Sequence, residues 1–347
     1  MATLPFPLYA DRMNTVWMGY NEYLIRYDPI SRTFTKFKYP VQRTLYDYDF
    51  LNCIYEDVDR LWLGSVQGLF SLNIKNNHWT YYGHQQQDTG SLSNDFVLSL
   101  CNDVQKPEAY LWIGTKGGGL NLLNKRTGQF TRYLTKDGLA NDVVYGILPD
   151  EKGNLWLSTN KGLSRFNTAT KRFSNFDVSD GLQSNEFNRY AYCKTNEGIL
   201  IFGGVNGLNY FNPDDIKTLS PPEVVLTDFR LFNKSVDFKK PGSLIRKNIS
   251  FVSEVVLEYK QNVLTFQFAA LDYRKSGGAR YRYRMEGFDE DWIYSATGRE
   301  ATYTNLDPGT YRFIVQGSFS EDVWGKEHTS LRVTIIPPGG VPGGFMA

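Results

Sequence analysis

The stretch Leu155-Trp-Leu-Ser-Thr-Asn-Lys-Gly-Leu-Ser-Arg-Phe166 decides the fold, because its first half recurs along the chain. The other copies are Val16-Trp-Met-Gly, Leu61-Trp-Leu-Gly, Leu111-Trp-Ile-Gly and a degenerate Leu200-Ile-Phe-Gly. Their second residues stand at positions 17, 62, 112, 156 and 201, so consecutive copies lie 45, 50, 44 and 45 residues apart. A period of about 45 residues is typical of a four-stranded propeller blade and exceeds a leucine-rich or ankyrin unit.

One repeat contains the strands of a whole blade. Strand-like segments over 143–148, 155–159, 163–166 and 173–176 are separated by turn residues such as those of Asn160-Lys-Gly162. Segments this short leave no window for an amphipathic helix. The sequence therefore predicts an all-β fold in which residues 1–219 form β-propeller blades. Five recognisable repeats make a small ring, so the chain is also compatible with part of a larger propeller.

The last strand of each blade carries two aromatic residues, three positions apart. These pairs are Phe34 and Phe37, Trp79 and Tyr82, Phe130 and Tyr133, and Phe173 and Phe176. One pair could stack on a sugar, but a pair present in every blade is expected in the core between blades. The fifth repeat has no such strand after Leu208-Asn-Tyr-Phe-Asn-Pro213. Its outer edge is expected to need a partner strand, which an N-terminal segment often gives in propellers.

A second β domain is expected over 220–338, because the periodicity ends at Ser220-Pro-Pro222. Strands are predicted over 224–232, 255–259, 263–270, 281–285, 311–316 and 331–336. Leu306-Asp-Pro-Gly-Thr-Tyr311 resembles the tyrosine corner of immunoglobulin-like and fibronectin-like β-sandwiches, in which the tyrosine hydroxyl bonds to the backbone. We predict one such sandwich with Tyr311 buried at its corner. A flexible tail over 339–347 is consistent with an appended sequence.

Composition excludes several classes of protein. The 347 residues include 38 Lys and Arg against 37 Asp and Glu, a net charge of +1, so the basic surface of a nucleic-acid-binding protein is not expected. No apolar run approaches the ~18 residues of a membrane helix, and the N-terminus lacks the pattern of a signal peptide. The chain is therefore expected to be cytoplasmic or an excised part of an exported protein. Cys53, Cys101 and Cys193 are expected to be buried thiols.

The sequence contains no strong motif for catalysis. There is no P-loop and no Gly-x-Ser-x-Gly elbow, and Gly117-Gly-Gly119 joins two strands rather than opening a helix. The three histidines, His78, His84 and His328, do not have the spacing of metal ligands, so neither a metal nor a cofactor is expected. The acidic residues six positions before a repeated Trp, which are Asp11, Glu56 and Asp150, are expected in turns. We therefore expect no enzymatic activity.

One face of a propeller collects the loops near its axis, and in this chain those loops carry amides, cations and a tyrosine. Such groups can hydrogen-bond a polyhydroxylated ligand, although they also satisfy tight turns. The candidate residues are Tyr20, Asn21, Gln67, Asn94, Lys116, Asn141, Lys161, Asn188, Arg189 and Asn206. Arg189 and Lys116 are the preferred contacts, because no other blade has an arginine at the place of Arg189. The alternative for Arg189 is a surface ion pair with Glu186.

Several motifs resemble a known family. Leu111-Trp-Ile-Gly-Thr-Lys-Gly-Gly-Gly-Leu120 and Asp137-Gly-Leu-Ala-Asn-Asp142 resemble the two-component regulator propeller repeat. Gly181-Leu-Gln-Ser-Asn-Glu-Phe-Asn188, followed by Phe202-Gly-Gly-Val-Asn-Gly-Leu-Asn-Tyr-Phe-Asn-Pro213, is similar to the last blade of that family. Tyr281-Arg-Tyr-Arg-Met-Glu-Gly-Phe-Asp-Glu-Asp-Trp292 resembles the Y_Y_Y domain that follows such propellers. The resemblance covers nearly the whole chain.

The resemblance implies the periplasmic, ligand-sensing region of a Bacteroides-type hybrid two-component sensor histidine kinase/response regulator. It implies an oligosaccharide ligand and a homodimer. We expect the ligand at the loop residues Arg189, Lys116, Lys161, Asn206, Asn188 and Tyr20, and the balanced charge predicts no nucleic acid as a partner. Attachment to the membrane would come through a helix after Pro337-Pro338, which is absent from this chain, as is the kinase. Family members tend to carry two seven-bladed propellers, so five repeats imply a truncated or divergent piece. The alternatives are a propeller glycan lyase or hydrolase, and a protein-interaction scaffold.

Overall fold

Short alternating segments with tight turns between them fold into successive antiparallel sheets. The structure is a computed structural model that describes residues 7–20, 23–40, 51–216, 220–272, 279–295, 298–319, 324–325 and 329–338. The chain divides into two compact units, Met1–Ile216 and Lys217–Ala347. The first unit is an all-β set of propeller blades and the second is a β-sandwich, which confirms the predicted fold class.

The first four sheets are complete blades, each made of four strands in chain order. They are β1 (Leu8–Ala10), β2 (Val16–Tyr20), β3 (Tyr23–Asp28) and β4 (Thr33–Lys38); β5 (Leu51–Glu56), β6 (Arg60–Ser65), β7 (Gly68–Asn73) and β8 (His78–Tyr82); β9 (Val97–Asn102), β10 (Tyr110–Thr115), β11 (Leu120–Asn124) and β12 (Phe130–Tyr133); and β13 (Val144–Pro149), β14 (Asn154–Thr159), β15 (Gly162–Asn167) and β16 (Arg172–Phe176). Gly117-Gly-Gly119 joins β10 to β11, as predicted.

The fifth sheet has only three strands in the described residues, which confirms the incomplete fifth repeat. These strands are β17 (Phe187–Lys194), β18 (Leu200–Gly204) and β19 (Gly207–Phe211). Residues 8–10 do not complete this blade, because β1 pairs with β2 at the inner edge of the first blade. The reason is the tight turn after β1, where the Asp11 carboxylate accepts hydrogen bonds from the backbone of Met13 and Thr15. The expectation of a partner strand from the N-terminus is therefore wrong for these residues.

Each complete blade buries one tryptophan from its second strand. Trp17, Trp62, Trp112 and Trp156 are at most 1% exposed. In three blades a nearby carboxylate accepts the indole N–H, from Trp17 to Asp11 at 2.9 Å, from Trp112 to Asp103 at 2.9 Å, and from Trp156 to Asp150 at 3.1 Å. The acidic residues of these turns therefore hold buried indoles in place, which is a structural role.

The aromatic pairs of the fourth strands pack mostly as predicted. Their second members contact the buried tryptophan of the same blade, with ring centroids 5.4–5.9 Å apart. Among the first members, Phe130 and Phe173 are buried. Phe34 is 64% exposed, so the prediction of a core position is wrong for that residue. Within the described residues no blade covers the side of the first sheet on which Phe34 lies.

The fifth blade has an uncovered outer side for the same reason. A leucine is the first or second residue of the third strand in every blade. In the first four blades it packs against the next blade with at most 1% exposure: Leu24, Leu69, Leu120 and Leu163. Leu208, at the equivalent place in β19, is 58% exposed, because no further blade lies beside it in the described residues. Cys193 is exposed on this blade too, whereas its counterpart Cys101 is buried. The prediction of a buried thiol is therefore wrong for Cys193.

The second unit packs a four-stranded sheet on a five-stranded one. In chain order its strands are β20 (Val224–Leu231), β21 (Lys234–Ser235), β22 (Glu254–Glu258), β23 (Val263–Ala270), β24 (Arg280–Glu286), β25 (Ile293–Ser295), β26 (Glu300–Thr304), β27 (Gly309–Ser318) and β28 (Thr329–Ile336). Tyr281 and Met285 face the core. The Tyr311 hydroxyl donates to the carbonyl of Asp307 at 3.0 Å, as predicted, but Tyr311 is half-buried rather than buried.

Helical structure in the described residues is limited to four single 3₁₀ turns, at Thr135–Asp137, Val178–Asp180, Pro213–Asp215 and Ile249–Phe251. None of these has the length or the apolar character that a membrane span requires.

Candidate functional site

The first strand of the fifth blade is longer than its counterparts. In the second, third and fourth blades the first strand contains a bulge of one residue. Four steps along this strand are paired with three steps along the second strand, over Leu51 to Tyr55, Val97 to Cys101 and Val144 to Leu148. In the fifth blade six steps along the first strand, from Phe187 to Cys193, are paired with three steps along the second strand. The strand therefore contains two extra residues. They enlarge the bulge and carry the segment Asn188-Arg-Tyr190 out of the sheet.

The first strands of successive blades contact one another, so the enlarged bulge lies beside the inner strands of other blades. The Arg189 guanidinium donates from Nη2 to Asn52 Oδ1 of the second blade at 2.7 Å and to the Tyr190 hydroxyl at 2.8 Å. The Tyr190 hydroxyl in turn donates to Asn52 Oδ1 at 3.0 Å. Asn52 is 2% exposed, and its Nδ2 donates to the carbonyl of Val97 at 2.6 Å. A buried amide therefore fixes an exposed arginine.

Backbone strain accompanies this arrangement. Tyr190 has a φ of 62°, in the left-handed region that a side chain with a Cβ rarely adopts. Tyr190 is one of eight non-glycine residues with a positive φ in the described part of the chain, and the contacts of its hydroxyl hold it in this conformation. Burial raises the pKa of the Tyr190 phenol, against the opposing effect of the Arg189 charge. Tyr190 is therefore a neutral hydrogen-bond donor at physiological pH.

The structure brings together the two residues that the sequence analysis preferred. The Arg189 guanidinium carbon lies 5.2 Å from the centre of the Phe96 ring, and Lys116 Nζ lies 5.0 Å from the same centre. Within the described residues, no carboxylate lies within ion-pairing distance of Arg189 or Lys116. Arg189 therefore does not form the ion pair with Glu186 that was the alternative. We call Asn52, Phe96, Lys116, Arg189 and Tyr190 the Arg189 cluster.

Of the other candidates, Asn94 contacts the cluster, because its side chain accepts the backbone N–H of Phe96. The side chains of Lys161, Asn188 and Asn206 are exposed. Tyr20 is 51% exposed at the end of β2, and Gln67 lies in the turn after β6. The Asn94 and Asn141 side chains accept hydrogen bonds from the backbone two residues later, at 2.8 and 2.9 Å, so both shape turns. Asn21 lies outside the described residues.

Three members of the cluster were missed by sequence reasoning. Asn52 lies 137 positions before Arg189, and nothing in the spacing of the repeats predicts a contact between the second and fifth blades. Phe96 and Tyr190 resemble the many other aromatic residues of the chain. The missing signal for Tyr190 was the two-residue insertion, which can be seen once the strands are aligned on Val144 and Phe187.

A second concave region lies between the third and fourth blades. This cleft has a volume of about 500 Å³ and is lined by polar side chains and two tyrosines, among them Gln105, Lys106, Tyr110, Gln129 and Tyr133. It is formed by the loops on the opposite side of the sheets from Lys116 and Lys161. The Asp103 carboxylate, which also lines the cleft, accepts a hydrogen bond from the indole N–H of Trp112. Because the cleft lies away from the Arg189 cluster, a substitution in it serves as a control in the binding experiments below.

No metal centre is found in the described residues, where no group of three or more His, Cys, Asp or Glu side chains converges. His84 Nδ1 lies 2.9 Å from the carbonyl of Leu92, His78 is exposed, and His328 lies outside the described residues.

Comparisons with known proteins identify both units. Residues 138–161 match the two component regulator propeller model, and residues 272–335 match the Y_Y_Y domain model. A curated relative, histidine kinase P4 of Formosa agariphila, is 31% identical over 281 residues, which are 80% of this chain and 20% of that protein. This chain therefore spans about one fifth of the length of that relative.

Solved structures show the same fold. The extracellular domain of BT3049 of B. thetaiotaomicron, assigned to a hybrid two component system, superposes with a TM-score of 0.53 at 23% identity. The match covers 95% of this chain and 50% of that one. The extracellular domain of BT4673 of the same organism gives a TM-score of 0.51 at 19% identity, over 96% of this chain and 56% of the other.

Proposed function

We infer that this chain, which combines two-component regulator propeller repeats with a Y_Y_Y domain, is the extracytoplasmic sensor region of a hybrid two-component sensor histidine kinase/response regulator. We place its ligand, an oligosaccharide, at the Arg189 cluster. The observation that carries this placement is the two-residue insertion in β17, which occurs in the fifth blade alone among the blades compared. A packing role would recur in every blade, whereas this feature occurs once.

The chemistry of the cluster suits a saccharide. The described contacts of Arg189 use one of its two terminal nitrogens, so other donors of the guanidinium remain available to a ligand. Lys116 offers further donors, and the Phe96 ring supplies an apolar surface for the carbon face of a sugar ring. Because buried Asn52 already holds Arg189, little side-chain entropy is lost when a ligand binds.

Signalling would follow from a shift between two arrangements of a dimer. A ligand that binds one arrangement more tightly increases its population by the ratio of the two affinities. The Y_Y_Y domains would transmit the change to a membrane helix and a histidine kinase that lie outside this chain. In this proposal the sensor region lies in the periplasm. This region would bind its ligand without converting it.

The test is calorimetric titration of the chain with a panel of neutral and acidic oligosaccharides, with product analysis of each mixture. We expect at least one saccharide to bind and none to be cleaved. Arg189→Ala should weaken that binding about ten- to a hundredfold, the equivalent of two hydrogen bonds or about 1.5–3 kcal/mol. The melting temperature of the unliganded protein should change little, because the Tyr190 hydroxyl still satisfies Asn52 Oδ1.

The control variant is Lys106→Ala, in the cleft between the third and fourth blades. It should leave the affinity unchanged. If Lys106→Ala abolished binding and Arg189→Ala did not, the cleft would be the ligand site. Cleavage of a bound saccharide would instead identify a lyase or hydrolase, and binding of a protein partner without any saccharide would identify an interaction scaffold.

A further inference from the structure

The Arg189 cluster holds two cations for which the described residues provide no ion pair. Arg189 and Lys116 are the two cations next to the Phe96 ring, each about 5 Å from its centre. Their charged groups are therefore at most about 10 Å apart, roughly the distance over which physiological salt screens a charge. The described contacts of Arg189 are to Asn52 and Tyr190, which are uncharged acceptors, and to the Phe96 and Tyr190 rings. The described contact of the Lys116 ammonium is to the Phe96 ring.

The nearby acidic side chains are engaged elsewhere or make no described ion pair with the two cations. The Asp95 carboxylate, next to Phe96 in sequence, accepts the backbone N–H of His84 at 2.6 Å. The Asp142 carboxylate accepts both the backbone N–H and the hydroxyl of Thr135. Glu186 takes part in hydrogen bonds through its backbone. These three carboxylates keep their negative charge, but in the described residues none of them lies within ion-pairing distance of Arg189 or Lys116.

Three other cations of the propeller form ion pairs with carboxylates in the described residues. Lys125 pairs with Asp57 at 2.5 Å, Lys194 with Glu151 at 2.6 Å, and Lys75 with Asp59 at 2.7 Å. These pairs lie at the loops that join first to second and third to fourth strands. On the opposite side, at the Arg189 cluster, two cations converge without a carboxylate. At a separation of up to about 10 Å salt screens much of the repulsion between the two cations, but an anion bound beside them is attracted to both.

From this we propose that the ligand of the Arg189 cluster is an acidic saccharide, one that carries a carboxylate or a sulfate ester and places it between Arg189 and Lys116. This proposal rests on the function inferred above and specifies the class of sugar. The guanidinium would bind the anionic group through paired N–H donors, and the ammonium would bind it as a point charge. The Phe96 ring, which lies next to both cations, would contact the adjoining sugar ring.

The experiment measures the affinity of the chain for matched saccharides. Sulfated oligosaccharides are compared with their desulfated forms, and uronic acid oligosaccharides with their carboxyl-reduced forms, at equal chain length. We expect the anionic member of one pair to bind at least tenfold more tightly than its neutral counterpart. The pair that shows the preference tells whether a sulfate or a carboxylate is recognised. The preference should diminish as the salt concentration rises.

Substitutions then assign the preference to the cluster. Arg189→Gln combined with Lys116→Gln should remove the preference for the anionic member and leave weak binding of both. Lys106→Gln, in the cleft on the opposite loops, removes one charge outside the cluster and should leave the preference unchanged. Near-ultraviolet circular dichroism of each variant checks that the fold is kept.

The outcomes separate the two proposals. Equal affinity for both members of every pair, or a preference that survives the double substitution, would overturn the acidic ligand while leaving a saccharide sensor in place. An absence of binding to any saccharide would contradict the sensor function itself, and the acidic ligand with it.

Discussion

At the scale of single residues, burial keeps the Cys101 side chain protonated as a thiol in the folded protein. Burial, with a smaller effect of the Asp103 charge, raises the pKa of this thiol to about 12 from an ordinary value of 9.0. Above pH 9 the unfolded chain therefore loses this proton while the folded chain keeps it, so stability falls as pH rises. The slope expected from this one group is near zero at pH 8 and approaches about 1.4 kcal/mol per pH unit at pH 10. Urea unfolding between pH 8 and 10 measures it.

The control for this prediction is Cys101→Val, which fills a similar space without an ionisable group. In this variant the unfolding free energy should fall less steeply with pH, because the contribution of the Cys101 thiol is gone. Tyrosines whose pKa values are also raised by burial, such as Tyr192, begin to ionise in the unfolded chain only near pH 10, at the end of this range. An equal slope in the native protein and in Cys101→Val would contradict the assignment.

The hydrogen bond of Tyr311 at the corner of the sandwich can be tested by substitution. Its hydroxyl bonds to the Asp307 carbonyl at 3.0 Å, while its ring packs against the core. Tyr311→Phe removes the hydrogen bond and keeps the ring, so it should cost about 0.5–1.5 kcal/mol of unfolding free energy. The lower part of that range is expected, because water reaches the bond and can replace it. An unchanged denaturation midpoint would mean that the hydroxyl contributes nothing to the corner.

At the scale of elements, the third strands of the blades allow one position to be compared in two environments. Leu163 in β15 is 1% exposed and packs against Phe187, Leu200 and Phe202 of the next blade. Leu208 in β19 occupies the equivalent position with 58% exposure. Leu163→Ala should therefore destabilise the protein by about 2–5 kcal/mol. Leu208→Ala should change the stability by no more than about 0.5 kcal/mol. Urea unfolding of both variants checks the contrast.

This pair also reports on the outer side of the fifth blade. If Leu208→Ala proved as destabilising as Leu163→Ala, then Leu208 would be covered in solution by another blade or another molecule. The expected contrast would show that the outer side of β19 is open in this chain.

The elements were predictable to the extent that one face of each strand is buried. The repeated Trp and its flanking leucines located the second strand of each blade, because those residues must be apolar wherever blades pack together. The short strands β21, β25 and β26 were missed, since they contain two to five residues with little apolar character, as in Lys234–Ser235 and Glu300–Thr304.

The candidate site was predictable only in part, and for a different reason. Arg189 was found because it departs from the pattern of the repeat, and Lys116 because it lies in a loop on the same face. Asn52 was not found, because its contact with Arg189 joins two blades separated by 137 positions. A repeat shows which residues are unusual within a blade. It does not show which unusual residues meet near the axis, because that depends on the register of every strand between them.

At the scale of the whole molecule, the chain consists of two units with separate cores. The sandwich core is one cluster drawn from residues 224–335, and the propeller cores are clusters drawn from residues 17–202. Each of these clusters lies within one unit. Each unit is therefore expected to unfold as its own cooperative body. A ligand that binds the Arg189 cluster should then stabilise one unit and not the other.

Hydrogen exchange followed by mass spectrometry tests this expectation with a bound saccharide. A ligand present at 100 times its Kd adds about 2.7 kcal/mol to the stability of the unit that binds it. Amides of residues 51–216 that exchange through unfolding of the propeller should therefore exchange about a hundredfold more slowly, whereas those of residues 220–338 should exchange at an unchanged rate. Arg189→Ala under the same conditions should restore fast exchange in the propeller. Equal slowing of exchange in both units would mean that they unfold together, and slowing in the sandwich alone would place the ligand there.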